Sequence, residues 1–233
     1  ETGCPVHVVH LATAEALPLL AAARAEGLPV SVETCPHYLH FHAEGIPDGD
    51  TRFKCAPPIR EARHREALWE ALRAGAIDLI ASDHSPCPPA MKCPDEGDLV
   101  NAWGGISSLQ IGLSVILTGC LKRNIPVERI ADWMCAAPAR LAGLYPRKGV
   151  IAPGADADLV IVDPARSFTV HGRALRHRHK VTPYENETLY GVVEKTYLRG
   201  CVVFDAKQGV FEGRGQAILG RSAGPQAFKG DLI

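Results

Sequence analysis

The feature that most constrains the fold is an alternation of short apolar segments with helix-like segments over the first two thirds of the chain. Residues 6–10, 29–33 and 77–82 are short and rich in β-branched and other apolar side chains, which is typical of strands buried in a parallel sheet. Residues 14–26 and 60–73 separate these strands and have the composition of amphipathic helices. The alternation predicts a parallel α/β architecture.

The number of strand–helix units indicates a partial barrel. Three units are too few for a closed (β/α)₈ barrel, which takes about 250 residues by itself. We predict that residues 1–148 form the C-terminal part of a TIM barrel, with two further helices at residues 106–118 and 127–134. The same mismatch predicts that an N-terminal portion of the barrel lies upstream of residue 1.

The sequence changes character after residue 148, where short strand-like segments are separated by Gly and Pro turns. We predict that residues 149–220 form a segment of a small β-sandwich and that residues 221–233 form a tail with little pattern. The strand-like segments are residues 158–163, 192–198 and 201–204.

Composition excludes several partners and favours one compartment. The chain has 25 Lys and Arg residues against 26 Asp and Glu, so no net field attracts nucleic acid or an anionic membrane. No stretch approaches the roughly 20 apolar residues of a membrane span. The eight cysteines are scattered, which favours reduced, mostly buried thiols in a cytoplasmic protein. Cys87 and Cys93 have no second pair at structural zinc spacing, so we interpret them as ordinary thiols.

Polar side chains close the first and third predicted strands. In parallel α/β folds the working residues lie at the C-terminal ends of strands, which singles out His10 and Asp83. Because a strand alternates faces, His7 and His10 point to opposite sides, and the terminal position favours His10. A buried carboxylate needs a cation, a metal or several donors. Taken singly, His10 also fits a structural role and Asp83 a cap, but their pairing favours a joint site.

Five motifs carry a more specific indication, and they occur in order at residues 8–11 (Val-Val-His-Leu), 33–39 (Glu-Thr-Cys-Pro-His-Tyr-Leu), 54–60 (Lys-Cys-Ala-Pro-Pro-Ile-Arg), 82–87 (Ser-Asp-His-Ser-Pro-Cys) and 103–106 (Trp-Gly-Gly-Ile). Together they resemble the cyclic amidohydrolases, a group of hydantoinases, dihydropyrimidinases, dihydroorotases and allantoinases. The last two motifs are most similar to allantoinases. So is His37, which stands where hydantoinases often carry Gln. Residues 178–184 resemble the stretch that joins barrel to sandwich in this family.

The resemblance implies a hydrolase with two divalent metal ions, which we expect to be Zn²⁺. By position, His10 and Asp83 match two of the family's metal ligands. The remaining ligands, including a His-x-His pair and a carboxylated lysine, are expected upstream of this chain. Asp83 also matches the residue that takes a proton from the attacking water and passes it to the leaving nitrogen. Ser85 and the main chain near Ala56 and Trp103 match groups that hold the substrate ring.

The implied function is the opening of the ring of allantoin to give allantoate. A hydantoinase or dihydropyrimidinase is one alternative, and a non-catalytic scaffold with the amidohydrolase fold is another. The expected partner is a small cyclic ureide, and the family implies a homo-oligomer.

Two other His-x-His strings, at residues 40–42 and 177–179, are not expected to bind the catalytic metals. The first follows a strand into a polar loop, where surface histidines are common, and the second lies in a basic run outside the half-barrel. His84 is closer to the site, and we expect it to support ligands rather than to bind metal.

Overall fold

Two sheets, one parallel and one antiparallel, organise the part of the chain that the computed structural model describes, residues 2–213 and 215–218. The parallel sheet contains β1 (Val6–Val8), β2 (Val30–Thr34) and β3 (Leu79–Ile80) in that order. Val6 pairs with Val30, and Glu33 pairs with Leu79. The three predicted strands are therefore confirmed, with β2 in the middle.

The first and third strands end earlier than the sequence predicts. His10 and Asp83 have φ angles of 41° and 44°. This left-handed backbone is incompatible with a β ladder, so the chain leaves the sheet at or before each of these residues. The turn sets both side chains at the same end of the sheet, because the strands are parallel.

Helices connect and cover the parallel strands. Helix α1 (Leu17–Ala25) follows β1, and its chain turns at Gly27, where φ is 75°. Helix α3 (Ala62–Arg73) leads to β3 and buries Leu68, Trp69 and Leu72 against the core. Helix α2 (Pro36–His40), directly after β2, was not predicted from the sequence. Five residues are too short to show helical periodicity, and Pro36 in the first turn is the one local signal.

The later helices depart from their predicted bounds. Helix α4 (Gly112–Lys122) starts six residues after the predicted start at 106, because Ile106 forms a β-bridge with His84. Residues 129–141 are helical throughout, with a π-helical stretch between α5 (Arg129–Ala131) and α6 (Ala137–Leu141). Pro138 lies just after this stretch and has no N–H to donate, so wider π spacing accommodates it.

The antiparallel sheet consists of β4 (Leu159–Thr169), β5 (Thr188–Leu198), β6 (Cys201–Asp205) and β7 (Gly209–Val210) in chain order. Strand β4 extends beyond the predicted 158–163, across an irregularity between Asp163 and Ser167 that contains Pro164. A two-residue turn joins β5 to β6, with positive φ at Arg199 and Gly200, as a type I′ hairpin requires.

Helix α4 connects the two sheets. Ser114 Oγ donates a hydrogen bond to the Gly191 carbonyl at 2.7 Å, and Tyr190 N–H donates to Thr118 Oγ1 at 2.8 Å. Leu189 and Tyr184 are fully buried and belong to the same apolar cluster as Leu68. One core therefore runs through both regions that the sequence divides at residue 148. The predicted tail at residues 221–233 lies outside the described residues.

None of the helices in the described ranges has the length and apolar character needed to cross a membrane. All eight cysteines fall within these ranges and are free thiols. Four of them are buried and three are exposed, so the expectation of mostly buried thiols holds for only half of them. Cys87 is buried within the loop that follows β3, and the one candidate metal cluster among the described residues includes neither Cys87 nor Cys93.

Candidate metal centre

His10 and Asp83 lie at the ends of β1 and β3, the two strands that flank β2. Burial raises the pKa of the Asp83 carboxyl, and the neighbouring His10 opposes this shift. The two predicted site residues are thus close enough to interact electrostatically. His10 Nδ1 is buried and has no hydrogen-bond partner among the described residues, so this imidazole is not committed to a structural contact through that atom.

The end of the middle strand supplies two further potential ligands, Cys35 and His37. One ligand atom from each of Cys35, His37 and Asp83 lies within 4.8 Å of the other two. Burial lowers the pKa of His37 to about 3, with His10 contributing in the same direction. Burial, followed by the charges of Asp83 and Glu33, raises the pKa of the Cys35 thiol.

From the sequence, His37 is expected only to distinguish subgroups of the family, and Cys35 is not predicted as a ligand. The missed signal was the Cys-Pro-His string directly after the middle strand. Imidazole, carboxylate and thiolate are the donors that zinc and similar divalent ions prefer. The donor set around His10 and Asp83 therefore fits the metal ions that the resemblance implies.

His7 is hydrogen-bonded between β1 and β2, and its partner Glu33 lies near enough to Asp83 to add to the effect of burial, which raises the pKa of that carboxyl. The Nδ1 of His7 is 2.7 Å from Ser31 Oγ and its Nε2 is 2.9 Å from Glu33 Oε2. Both ring nitrogens are engaged in a bridge between β1 and β2. His7 is therefore a structural histidine.

The three residues expected to hold substrate meet around Gly104 and Gly105. A Cβ placed on Gly105 would lie 2.5 Å from the Ser85 carbonyl oxygen and 2.8 Å from Trp103 Nε1. A Cβ on Gly104 would lie 3.6 Å from the Ala56 nitrogen. The Trp-Gly-Gly-Ile motif thus allows a close approach of three loops that any larger residue at Gly105 would prevent.

A buried lysine that the sequence analysis did not single out ties these loops together. Lys92 Nζ donates to the carbonyl oxygens of Gly105, Lys54 and Trp103 at 2.7, 3.0 and 3.0 Å. Lys92 is 4% exposed, and burial lowers its pKa. The three carbonyl oxygens satisfy its donors in place of a carboxylate.

The His-x-His string at residues 40–42 matches the expectation of surface histidines only in part. His40 is not in a surface loop: it ends α2, its Nε2 is 3.3 Å from Glu187 Oε2, and it packs on Tyr184. The expectation was wrong because the helix α2 turns this side chain toward the core. His42 is more exposed and bonds to Glu44. Neither belongs to the candidate metal cluster among the described residues.

The rings of His84 and His177 make an edge-to-face contact near the site. His84 Nδ1 accepts hydrogen bonds from the backbone N–H groups of Ser108 and Leu109 at 3.0 and 3.1 Å. These bonds fix the His84 ring on the loop that precedes α4, and its expected support of metal ligands stays a prediction. The His177 ring lies 5.3 Å from the His84 ring. Residues 176–182 thus contact the segment between β3 and α4, and the expectation that His177 does not bind the catalytic metals stays a prediction.

A parallel sheet whose strand ends gather histidine, cysteine and aspartate defines a candidate metal centre in an α/β fold. Comparison with protein-family models agrees with this class: residues 3–203 match the Amidohydrolase family. The chain belongs to this family.

Curated relatives and solved structures show which members of the Amidohydrolase family the chain is similar to. The allantoinase of Streptomyces avermitilis is 50% identical over 195 residues, which cover 84% of this chain and 43% of that protein. The allantoinase of Saccharomyces cerevisiae is 47% identical over 207 residues, 88% of this chain and 44% of that protein. The D-hydantoinase (dihydropyrimidinase) from Thermus sp. superposes with a TM-score of 0.83 at 30% identity, covering 91% of this chain and 47% of that one. The chain spans less than half the length of these proteins.

Proposed function

We propose that the protein formed with this chain hydrolyses allantoin to allantoate, using two divalent metal ions, Zn²⁺ by preference. The observation that carries the proposal is the placement of Asp83 beside His10 at the ends of parallel strands, in a chain of the Amidohydrolase family. Relatives named allantoinase at 40–50% identity support the choice of substrate. The remaining metal ligands would come from outside these 233 residues.

His10 and Asp83 would hold the metals from this chain. Bound divalent ions lower the pKa of water and polarise an amide carbonyl. Asp83 lies at the mouth of the site, where its carboxylate can accept the proton released as water adds to the ring carbon. When the ring C–N bond breaks, Asp83 returns that proton to the leaving nitrogen, so the proton balance closes on one side chain.

The substrate ring would lie against the loops that meet at Gly104 and Gly105. Ser85 and the main chain at Ala56 and Trp103 would hold the ring through hydrogen bonds. Because Lys92 fixes three carbonyls of these loops, they are preorganised before substrate binds. A rigid cradle lowers the entropic cost of aligning the ring with Asp83.

We also infer the organisation of the whole protein. Residues 1–148 would be the C-terminal part of a TIM barrel, and residues 149–220 a segment of a β-sandwich. The eight unpaired thiols favour the cytoplasm. A homo-oligomer follows from the family resemblance.

A second function is favoured by the structural neighbours, which are named D-hydantoinase, L-hydantoinase and dihydropyrimidinase. A panel of allantoin, hydantoin and dihydrouracil tests both, on a protein in which this chain is combined with the rest of an amidohydrolase barrel. Preference for allantoin by at least tenfold in kcat/KM is expected. Preference for hydantoin or dihydrouracil would favour the second function, and turnover of none of the three with metals bound would indicate a scaffold.

A further inference from the structure

We propose that Cys35, His37 and Asp83 bind a single thiophilic divalent cation such as Zn²⁺, a ligand set that the family resemblance does not assign. Their ligand atoms lie within 4.8 Å of one another. In a tetrahedral zinc site with bonds of about 2.0–2.3 Å, ligand atoms approach to below ~4 Å. Small side-chain rotations close this gap, so the site is nearly preformed.

The strongest support comes from the His37 side chain. His37 is 0% exposed, and neither ring nitrogen has a hydrogen-bond partner among the described residues. A buried imidazole that is left unpartnered is costly to the folded state. A cation between His37 and Asp83 would use one of these nitrogens, which explains why a polar ring occupies a fully buried position beside a thiol and a carboxylate.

Local backbone structure holds the ligands in place. Cys35 is extended, with φ −125° and ψ 154°, and Pro36 begins α2 immediately after it. The fixed φ of proline makes the change from strand to helix abrupt, so the Cys35 thiol and the His37 ring emerge at the same end of β2. Asp83 approaches from the turn after β3, the neighbouring strand.

The charge balance of the site suits its burial. When the ion binds, the Cys35 thiol loses its proton to solvent and becomes a thiolate ligand. One thiolate and one carboxylate neutralise a divalent cation, and His37 binds as a neutral imidazole. A net charge of zero minimises the cost of placing the ion in an interior where Cys35 and His37 are both inaccessible to solvent.

Asp83 belongs both to this cation site and to the proposed catalytic site, so binding of the ion should regulate catalysis. This consequence rests on the proposed function, whereas the binding of the cation does not depend on it. An ion on Cys35 and His37 would occupy the carboxylate that accepts the proton in hydrolysis. Excess zinc should therefore inhibit the active protein, and Cys35→Ser should relieve the inhibition. The thiol is what separates this position from one made of histidine and carboxylate alone.

A cobalt titration of the purified 233-residue chain tests the site directly. Cobalt(II) bound to a thiolate gives an intense near-ultraviolet charge-transfer band, and tetrahedral ligation gives strong visible absorption. We expect one cobalt ion per chain with both features, displaced by one equivalent of zinc. Cys35→Ser should abolish the charge-transfer band, and His37→Gln should weaken binding at least tenfold.

Two matched cysteine variants serve as controls. Cys120 is as deeply buried as Cys35 but lies in α4, and Cys55 is a buried neighbour outside the cluster. Cys120→Ser and Cys55→Ser should keep the band. Loss of the band in Cys55→Ser instead, binding without a thiolate band, or no binding by the native chain would each overturn the proposal.

A second measurement needs no variant, in case a substitution prevents folding. Cadmium NMR of the native chain reports the number of sulfur ligands through the chemical shift. One sulfur with nitrogen and oxygen ligands is expected, and a shift for no sulfur or for several would contradict the assignment. Since neither readout involves allantoin, an intact metal site with no hydrolysis by the assembled protein would refute the proposed function alone.

Discussion

Lys92 Nζ donates a hydrogen bond to the Gly105 carbonyl oxygen at 2.7 Å, and this contact joins the loop after β3 to the Trp-Gly-Gly-Ile turn. The same ammonium bonds the carbonyls of Lys54 and Trp103. The buried ammonium group of Lys92 thus joins the loop segments that surround the candidate substrate site. Because these hydrogen bonds are buried or partly buried, the conformation of the site loops contributes to the free energy of unfolding of the chain.

Lys92→Met should lower the free energy of unfolding by roughly 2 kcal/mol or more. Methionine has a similar length but cannot donate, so three carbonyls lose a donor. The Lys54 carbonyl keeps the Gly105 N–H, whereas a buried group left unsatisfied, such as the Gly105 carbonyl, costs about 1–3 kcal/mol. Chemical denaturation of the purified chain measures the change. Lys207→Met, at an exposed position, should change the stability by less than about 0.5 kcal/mol. Equal stabilities of the two variants would show that Lys92 does not brace the loops.

Gly119→Ala should destabilise the chain although alanine favours helices. A Cβ on Gly119 would lie 2.3 Å from Trp69 Cζ2, and the Trp69 indole is held by a hydrogen bond of 2.9 Å to the Leu39 carbonyl. Overpacking costs about 1–3 kcal/mol, whereas helix propensity returns about 1 kcal/mol. Because the approach of 2.3 Å is very close, a net loss toward the upper end of the difference, roughly 1–2 kcal/mol, is expected in urea unfolding.

The control for this substitution is Gly213→Ala, where a Cβ meets no atom within 4 Å. Its stability should equal that of the native chain within about 0.5 kcal/mol. A Gly119→Ala variant more stable than the native chain would mean that Trp69 moves freely, and that the tight packing of α3 on α4 is not present in solution.

Thr118→Val should loosen the attachment of the antiparallel sheet to α4. Thr118 Oγ1 accepts a hydrogen bond from Tyr190 N–H and donates one to the Ser114 carbonyl, both within 2.8 Å. Valine keeps the shape but leaves the Tyr190 N–H without its partner, at a cost of about 1–3 kcal/mol. Hydrogen exchange should show faster exchange in β5, while Thr188→Val, at an exposed position in the same strand, should not. Unchanged hydrogen exchange in both variants would show that the Thr118–Tyr190 hydrogen bond does not hold β5 on α4.

The parts of the fold that sequence predicts well are those with long-range regularity. Strands β1 to β3 follow from short apolar, β-branched segments and helix α3 from its periodicity, and the ends of β1 and β3 indicate His10 and Asp83. What periodicity does not encode is a side chain that acts across loops. Lys92 lies in a short turn with ordinary composition, and its three acceptors are carbonyls, which no side-chain pattern reveals.

The candidate ligands at Cys35 and His37 were missed for a related reason. A cysteine and a histidine that are two residues apart do not predict a metal site until the backbone conformation between them is known. Pro36 starts a helix too short for periodicity to show, and burial of both side chains depends on α3 and α4 packing over them. His40 was misplaced by the same omission, since without α2 it belongs to a loop.

Allantoin turnover and metal content, measured for this chain alone and combined with the rest of an amidohydrolase barrel, test the proposed hydrolysis. Alone, the chain offers His10 and Asp83 to the two catalytic ions, against the three or more protein ligands typical of a catalytic zinc. We expect no turnover from the chain alone, even with added zinc. From the combination we expect two metals and robust turnover, with a loss of more than a hundredfold in kcat for Asp83→Asn and little change for Asp132→Asn, an exposed control. The proposed function depends on this result. Hydrolysis of allantoin by the chain alone, or Asp83→Asn activity within about tenfold of the native value, a barrier change of only about 1.4 kcal/mol, would contradict it.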